Sequence, residues 1–131
     1  MYDIFRFFFR LRIMNDTVLL YHNPRCSKSR AALDWLQQHS PAPVQVIDYQ
    51  KQPPSESELA ALLAQLGFTD PAQMMRRQDS LFAELGLEGA DNAALIRAMH
   101  RHPALIERPI AVYRQRAAIG RPLDNITALF D

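Results

Sequence analysis

The chain has 131 residues, 48% hydrophobic and 22% charged, with 15 basic against 14 acidic side chains and a formal net charge of +1. These values describe one ordinary globular domain, and the near-neutral charge argues against a general nucleic-acid binder, which carries a clustered basic excess. The single cysteine excludes an intramolecular disulfide and favours a reducing cytoplasm, and the four histidines lack the spacing of a metal site, so we expect no bound metal.

Residues 1–13 differ in composition from the rest of the chain. They contain four of the seven phenylalanines together with Arg6, Arg10 and Arg12. The segment is too short and too often charged to span a bilayer, although a basic aromatic segment can lie on a membrane surface. We interpret it as a leader that arises from a wrongly assigned start, with Met14 as the initiator, or as a non-native addition. We therefore expect one domain over residues 14–131 and no membrane association.

The next part of the chain predicts a βαβ unit. Residues 17–21 (TVLLY) form a short apolar run typical of a buried strand. Pro24 disfavours helix at the residue before it, so the helix predicted over residues 27–39 can begin only near Cys26. Residues 44–49 (VQVIDY) are rich in β-branched side chains and predict a second strand. Two strands separated by one helix run parallel with a right-handed crossover.

The middle of the chain predicts helices. Ser55 and Glu58 form a capping box, and leucines follow at i, i+3, i+4 and i+7 up to Gly67. Residues 71–100 favour shorter helices, with Asp91 as an N-cap.

The end of the chain predicts a hairpin and a closing helix. Residues 109–113 (PIAVY) and 116–119 (RAAI) are two short strand candidates, and residues 123–130 can form a helix. The whole order is βαβ, a helical middle, then ββα. We therefore predict an α/β thioredoxin-like fold, with a mixed four-stranded sheet and a helical insertion in the middle.

Cys26 lies where a strand leads into the first turn of a helix. The free N–H groups and the dipole of that turn stabilise a thiolate, and the pKa of such a cysteine falls from about 8.5 to roughly 3.5–7.5. His22, if protonated, and the cations of residues 25–30 add positive charge, and the Ser27 and Ser29 hydroxyls can donate to the sulfur or to a bound anion. A helix N-terminus also binds oxyanions. The sequence thus predicts a thiolate nucleophile at an anion site.

The residues around the thiol also limit the redox chemistry. A dithiol oxidoreductase needs a second cysteine at position 29, where this chain has Ser29. An external thiol must therefore resolve any disulfide formed on Cys26.

Four separated motifs resemble the ArsC family, the glutaredoxin-dependent arsenate reductases. They are residues 22–30 (HNPRCSKSR), 74–77 (MMRR), 102–110 (HPALIERPI) and 120–122 (GRP), and they occur in the family's order over residues 17–130. Four motifs together are far more specific than any one of them.

The resemblance implies site residues. Cys26 is the nucleophile that attacks arsenic, and His22 and Ser29 match positions that tune the thiolate. The arginines that hold the oxyanion are Arg76, with Arg77 as an alternative for the same place, Arg108 and Arg121. Paired guanidinium N–H groups suit a tetrahedral oxyanion better than lysine does.

The resemblance also implies the reaction and its partners. The Cys26 thiolate forms an adduct with arsenate, glutathione attacks the adduct, and glutaredoxin supplies the remaining electrons. We expect a cytoplasmic monomer with arsenate, glutathione and glutaredoxin as partners and no bound cofactor. Because thioredoxin-like folds carry a cis-proline before such a strand, we also expect a cis bond between Arg108 and Pro109.

Two alternatives stay open. A transcription adaptor of the Spx type shares the fold and binds RNA polymerase, but those proteins carry a Cys-x-x-Cys pair where this chain has Cys26 and Ser29. The other alternative is a thiol oxidoreductase of the same fold that acts on another substrate, such as a glutathione mixed disulfide.

Overall fold

Four strands form one mixed sheet in the part of the chain that this computed structural model describes, residues 16–131. The predicted leader, residues 1–13, lies outside the described residues. The strands lie in the order β2-β1-β3-β4; β1 and β2 are parallel, and β3 runs antiparallel to both β1 and β4. This confirms the predicted mixed sheet and its thioredoxin-like order. The strands are β1 (Val18–His22), β2 (Val44–Asp48), β3 (Ile110–Tyr113) and β4 (Arg116–Ile119).

Five α-helices flank the sheet within the same residues. The capping box is confirmed, since Ser55 Oγ accepts from the Glu58 N–H and Glu58 Oε1 accepts from the Ser55 N–H. Asp91 caps a later helix by accepting from the Ala94 N–H at 2.8 Å. The predicted closing helix is an α-helical turn followed by a 3₁₀ turn. The helices are α1 (Ser27–His39), α2 (Glu56–Gln65), α3 (Ser80–Glu84), α4 (Asn92–Arg101) and α5 (Asp124–Thr127), with 3₁₀ turns at Pro71–Met74, Pro103–Leu105 and Ala128–Phe130.

The sheet separates two hydrophobic cores. Side chains alternate between the faces of a strand, so Ile110 packs with the core under α2 and α4, and Ala111 packs with the core under α1 and α5. Both faces of β1 are likewise buried. Leu36 of α1 is fully buried, which stabilises the fold by about 1.5–3 kcal/mol.

Chain reversals at the end of the sheet bring distant segments together. Tyr21, near the end of β1, pairs with Ile110 at the start of β3, so the loop after β1 lies beside the segment that enters β3. The predicted cis bond between Arg108 and Pro109 is confirmed, and the bond between Arg121 and Pro122 is also cis.

Gly120 allows the closest approach in this region. Its N–H donates to the Pro109 carbonyl at 2.9 Å. A Cβ at this position would lie 2.6 Å from Cδ1 of Ile126 and 2.9 Å from Cγ of Pro109, which real contacts do not permit. The absence of a side chain therefore lets the end of β4 lie against Pro109, and this brings Arg121 beside Arg108.

Candidate active site

The thiol of Cys26 lies at the N-terminus of α1. Cys26 has an extended backbone and is the N-cap residue, and the first turn of the helix contains no acidic side chain. Its N–H donates to the Asn23 carbonyl at 3.0 Å, which closes the turn after β1. The side chain is partly exposed, so it is accessible to a ligand. The predicted junction of strand, thiol and helix N-terminus is present.

Several opposing effects set the pKa of the Cys26 thiol. Burial is the largest and raises it. The backbone N–H groups of Ser29 and Lys28 lower it, and so do the charge of Arg108 and a hydrogen bond from Arg121. Together these groups outweigh burial, and the pKa of Cys26 lies below its ordinary value. The thiolate is therefore favoured.

His22 and Ser29 are buried next to one another behind the thiol. Nδ1 of His22 and Oγ of Ser29 share a hydrogen bond of 2.7 Å, whose direction follows the imidazole tautomer. The Asn23 N–H also donates to Ser29 Oγ, at 2.9 Å. The Ser29 hydroxyl thus holds the loop before Cys26. The sequence allowed this hydroxyl to donate to the sulfur or to a bound anion; in the structure it bonds to His22 and the Asn23 N–H, and the backbone N–H of Ser29 donates to the sulfur.

His22 was a possible source of positive charge only if protonated, and the structure disfavours the protonated form. Burial lowers the pKa of His22, and Arg30 adds to this effect, whereas Asp48 raises it. The net direction is downward, so the imidazole is neutral at neutral pH. His22 therefore acts on this loop through its hydrogen bond to Ser29 rather than through charge.

Arg121 joins the thiol to a second chain segment. Nη1 of Arg121 donates to Cys26 Sγ at 3.8 Å and to the Arg108 carbonyl at 3.1 Å. The Arg108 guanidinium pairs with Oε1 of Glu107 at 3.4 Å, and its Nε is buried with no hydrogen-bond partner among residues 16–131. Arg108 and Arg121 both lower the pKa of the thiol, and their predicted role in holding an oxyanion stays a prediction.

Arg76 is held in place by contacts with other residues of the chain. Its Nη1 pairs with Oδ2 of Asp79 at 3.3 Å and reaches the Ala104 carbonyl at 3.5 Å. Its backbone N–H donates to the Leu105 carbonyl at 2.7 Å. Arg77, the next residue, is exposed. The two arginines therefore differ, since Arg76 is paired and partly buried whereas Arg77 is exposed.

A cleft of about 740 Å³ brings the predicted arginines together. Arg76, Arg77, Arg108 and Arg121 all line it, and Cys26 adjoins it through Arg121. Three carboxylates also line the cleft: those of Asp79, Glu88 and Glu107. The cleft can thus bind an anion at the end next to Cys26, and the rest of its lining still contains both guanidinium and carboxylate groups.

Some neighbours of the site were not predicted from the sequence. Tyr49, directly after β2, is 1% exposed. Burial raises the pKa of its phenol, and this effect exceeds the lowering by a hydrogen bond with Asn23 and by the charge of Arg108. It connects the loop before Cys26 with the arginine cleft. Only its place at the end of a predicted strand marked it in the sequence. Glu107 was part of a quoted motif, but only the structure pairs it with Arg108.

Two further observations concern the described residues, 16–131. They contain no group of three His, Cys, Asp or Glu side chains arranged to hold a metal ion. None of their helices has the length and apolarity needed to cross a bilayer.

Comparison with known proteins agrees with the geometry. The sequence model of the ArsC family matches residues 21–129. A protein named arsenate reductase from Neisseria meningitidis serogroup B is 48% identical, over 86% of this chain and 97% of its own. Another of that name, from Haemophilus influenzae, is 42% identical over 84% and 96%. The solved structure of arsenate reductase from Vibrio cholerae superposes with a TM-score of 0.82 at 42% identity, over 86% of this chain and 97% of that one.

Proposed function

Because the chain belongs to the ArsC family, we propose that it reduces arsenate to arsenite, with glutathione and glutaredoxin as its reductants. Relatives named arsenate reductase match almost their whole length, so the family's entire domain is present in this chain.

One observation supports the proposal more than any other. The Arg121 guanidinium contacts both the Cys26 sulfur and the backbone of Arg108, at the edge of the arginine cleft. A nucleophile and two guanidinium groups, those of Arg108 and Arg121, therefore lie together at this end of the cleft. Arsenate is a tetrahedral oxyanion, and guanidinium groups bind such ions through paired, charge-assisted hydrogen bonds.

The thiolate begins the reaction. The Cys26 sulfur attacks arsenic, an S–As bond forms, and one arsenate oxygen leaves as hydroxide and is protonated to water. The N–H groups of the first turn of α1, together with Arg108 and Arg121, stabilise the negative charge that is spread over the oxygens during attack.

Electrons then enter from external thiols. A glutathione thiolate attacks the Cys26 sulfur, an S–S bond forms, and the S–As bond breaks with its electron pair left on arsenic. Arsenic passes from As(V) to As(III) and leaves as arsenite. A glutaredoxin thiolate takes the glutathione from the mixed disulfide and regenerates the Cys26 thiolate. The external thiol is required because Cys26 is the one cysteine of the chain.

The remaining predicted residues have supporting roles in this scheme. Ser29 and His22 hold the loop that leads to Cys26. Arg76 lies in the cleft wall and is kept in position by Asp79, where it adds positive charge for the oxyanion.

A coupled assay tests the proposal. Glutathione, glutaredoxin and glutathione reductase link each turnover to oxidation of NADPH, and arsenate should start that oxidation. Phosphate should not start NADPH oxidation, because it has the shape and charge of arsenate but is not reduced by thiols. The Cys26→Ser variant should be inactive, since the chain contains no second thiol that could replace the nucleophile. Lack of arsenate-dependent oxidation in the wild-type chain would contradict the proposal, and retention of RNA polymerase by the chain would then favour the adaptor alternative.

A further inference from the structure

The arginine cleft is much larger than one oxyanion. Its volume of about 740 Å³ falls within the range of roughly 300–1,000 Å³ typical of sites for small organic molecules. A tetrahedral ion bound at Cys26 would fill only the end next to Arg121. The rest of the cleft has room for a second ligand of peptide size.

The charges that line the cleft fall into two groups. Arg76 is paired with Asp79, and Arg108 with Glu107. Within residues 16–131, the other three charged groups of the lining make no ion pair: Arg77, Arg121 and Glu88. Arg121 contacts the Cys26 sulfur, so the charges left for a second ligand are the Arg77 guanidinium and the Glu88 carboxylate. They are complementary to a ligand that has both carboxylate and ammonium groups.

We propose that this cleft binds the thiol co-substrate, a small zwitterionic peptide thiol of the glutathione class. Glu88 binds its α-ammonium group, and Arg77 binds one of its carboxylates. This inference rests on the proposed function for the identity of the reductant. It goes further by assigning a site for that reductant, by giving Glu88 a binding role, and by assigning Arg77 to the reductant rather than to the oxyanion.

The reaction itself requires the reductant to bind near this place. Its sulfur must reach Cys26 Sγ after the arsenic adduct has formed, and Arg121 connects that sulfur with the cleft. A cleft lined only with arginines would bind any acidic thiol. The carboxylate of Glu88 repels an acidic thiol that lacks an ammonium group and attracts one that has it, so Glu88 provides the selectivity.

Thiol–disulfide exchange without arsenic tests this inference separately from the proposed function. The Cys26 thiolate attacks a disulfide, one mixed disulfide forms on Cys26, and one thiolate leaves. Since the chain has one cysteine, intact-mass measurement follows the reaction at a single sulfur. The probes are oxidised glutathione and dithiodipropionate, which carry the same net charge at neutral pH, whereas only the first has ammonium groups.

The variants are Glu88→Gln and, as a matched control, Glu84→Gln, an exposed glutamate outside the cleft lining. We expect Glu88→Gln to slow exchange with oxidised glutathione by about fivefold and not to slow exchange with dithiodipropionate. Glu84→Gln should change neither rate. Arg77→Gln should slow both reactions, because both probes carry carboxylates.

If Glu88 acted only through long-range charge, the Glu88→Gln substitution would change the exchange rate in the opposite direction. Removing the negative charge of Glu88 would then speed exchange with both acidic disulfides. That result would overturn the inference, and so would unchanged rates or equal slowing of both probes. Because arsenate is absent, the exchange result stands whether or not the chain reduces arsenate.

Discussion

Nη1 of Arg121 lies 3.8 Å from the sulfur of Cys26, although 95 positions separate the two residues in the sequence. The contact depends on the backbone of the last part of the fold. Gly120 packs directly against Pro109, and the chain then turns so that Arg121 also donates to the Arg108 carbonyl. The site around the proposed nucleophile is therefore completed by Arg121, which follows the last strand of the sheet.

Arg121 should control the ionisation of the thiol. Its hydrogen bond stabilises the thiolate, so Arg121→Ala should raise the pKa of Cys26 relative to the wild-type chain. The rate of alkylation of Cys26 as a function of pH gives the midpoint. Arg114→Ala, which removes an arginine paired with Asp16, should leave it unchanged. Equal midpoints for Arg121→Ala and the wild-type chain would contradict this role.

Arg108→Lys should impair oxyanion handling more than folding. Lysine keeps the charge but cannot offer two parallel N–H donors, so we expect the KM for arsenate to rise by about tenfold, the equivalent of roughly 1.4 kcal/mol. Urea unfolding should show a stability close to that of the wild-type chain. An unchanged arsenate dependence would mean that Arg108 does not bind the oxyanion.

Ser29→Ala should destabilise the fold as well as the site. The change leaves the Asn23 N–H without its acceptor and removes the partner of the buried His22 ring, which costs about 1–3 kcal/mol. The free energy of unfolding from urea denaturation measures the loss. Ser27→Ala, at the exposed start of the same helix, is the control and should change stability by less than about 0.5 kcal/mol. Similar losses for the two variants would contradict the role of Ser29.

His22 should make stability depend on pH. Burial lowers its pKa in the folded chain, so the unfolded chain, with a histidine pKa of about 6.5, takes up the proton first. The neutral ring therefore contributes its full stabilisation above about pH 6.5, the pKa in the unfolded chain. This contribution is lost as the pH falls from there through the lower pKa of the folded chain. Stability measured from about pH 8 downwards should therefore decrease less in His22→Asn than in the wild-type chain.

The control for this dependence is His39→Asn, which alters an exposed histidine at the end of α1. Its stability should follow pH as the wild-type chain does. If His22→Asn shows the full wild-type decrease, His22 is not the group responsible.

Much of the fold was predictable because its signals are local. The capping box of Ser55 and Glu58 begins α2 as expected, and alternating or apolar runs marked the four strands. The position of Cys26 at a helix N-terminus followed from Pro24 alone. These features depend on neighbours within a few residues, which a sequence displays directly.

The unpredicted features depend on packing between distant segments. No local signal tells that Tyr49 connects Asn23 with the arginine cleft. Burial of His22 determines its neutral state, and burial is a property of the folded chain. The cations nearest to Cys26 along the chain are at positions 25, 28 and 30, whereas the side chains that lower the pKa of its thiol are Arg108 and Arg121.

Arsenic speciation tests the central claim most directly. The full chain is incubated with arsenate, glutathione and glutaredoxin, and chromatography with elemental detection separates arsenate from arsenite. We predict that the wild-type chain converts arsenate to arsenite and that Cys26→Ser forms none above the reaction without protein. Arsenate recovered unchanged with the wild-type chain, or arsenite formed equally well by Cys26→Ser, would contradict the account.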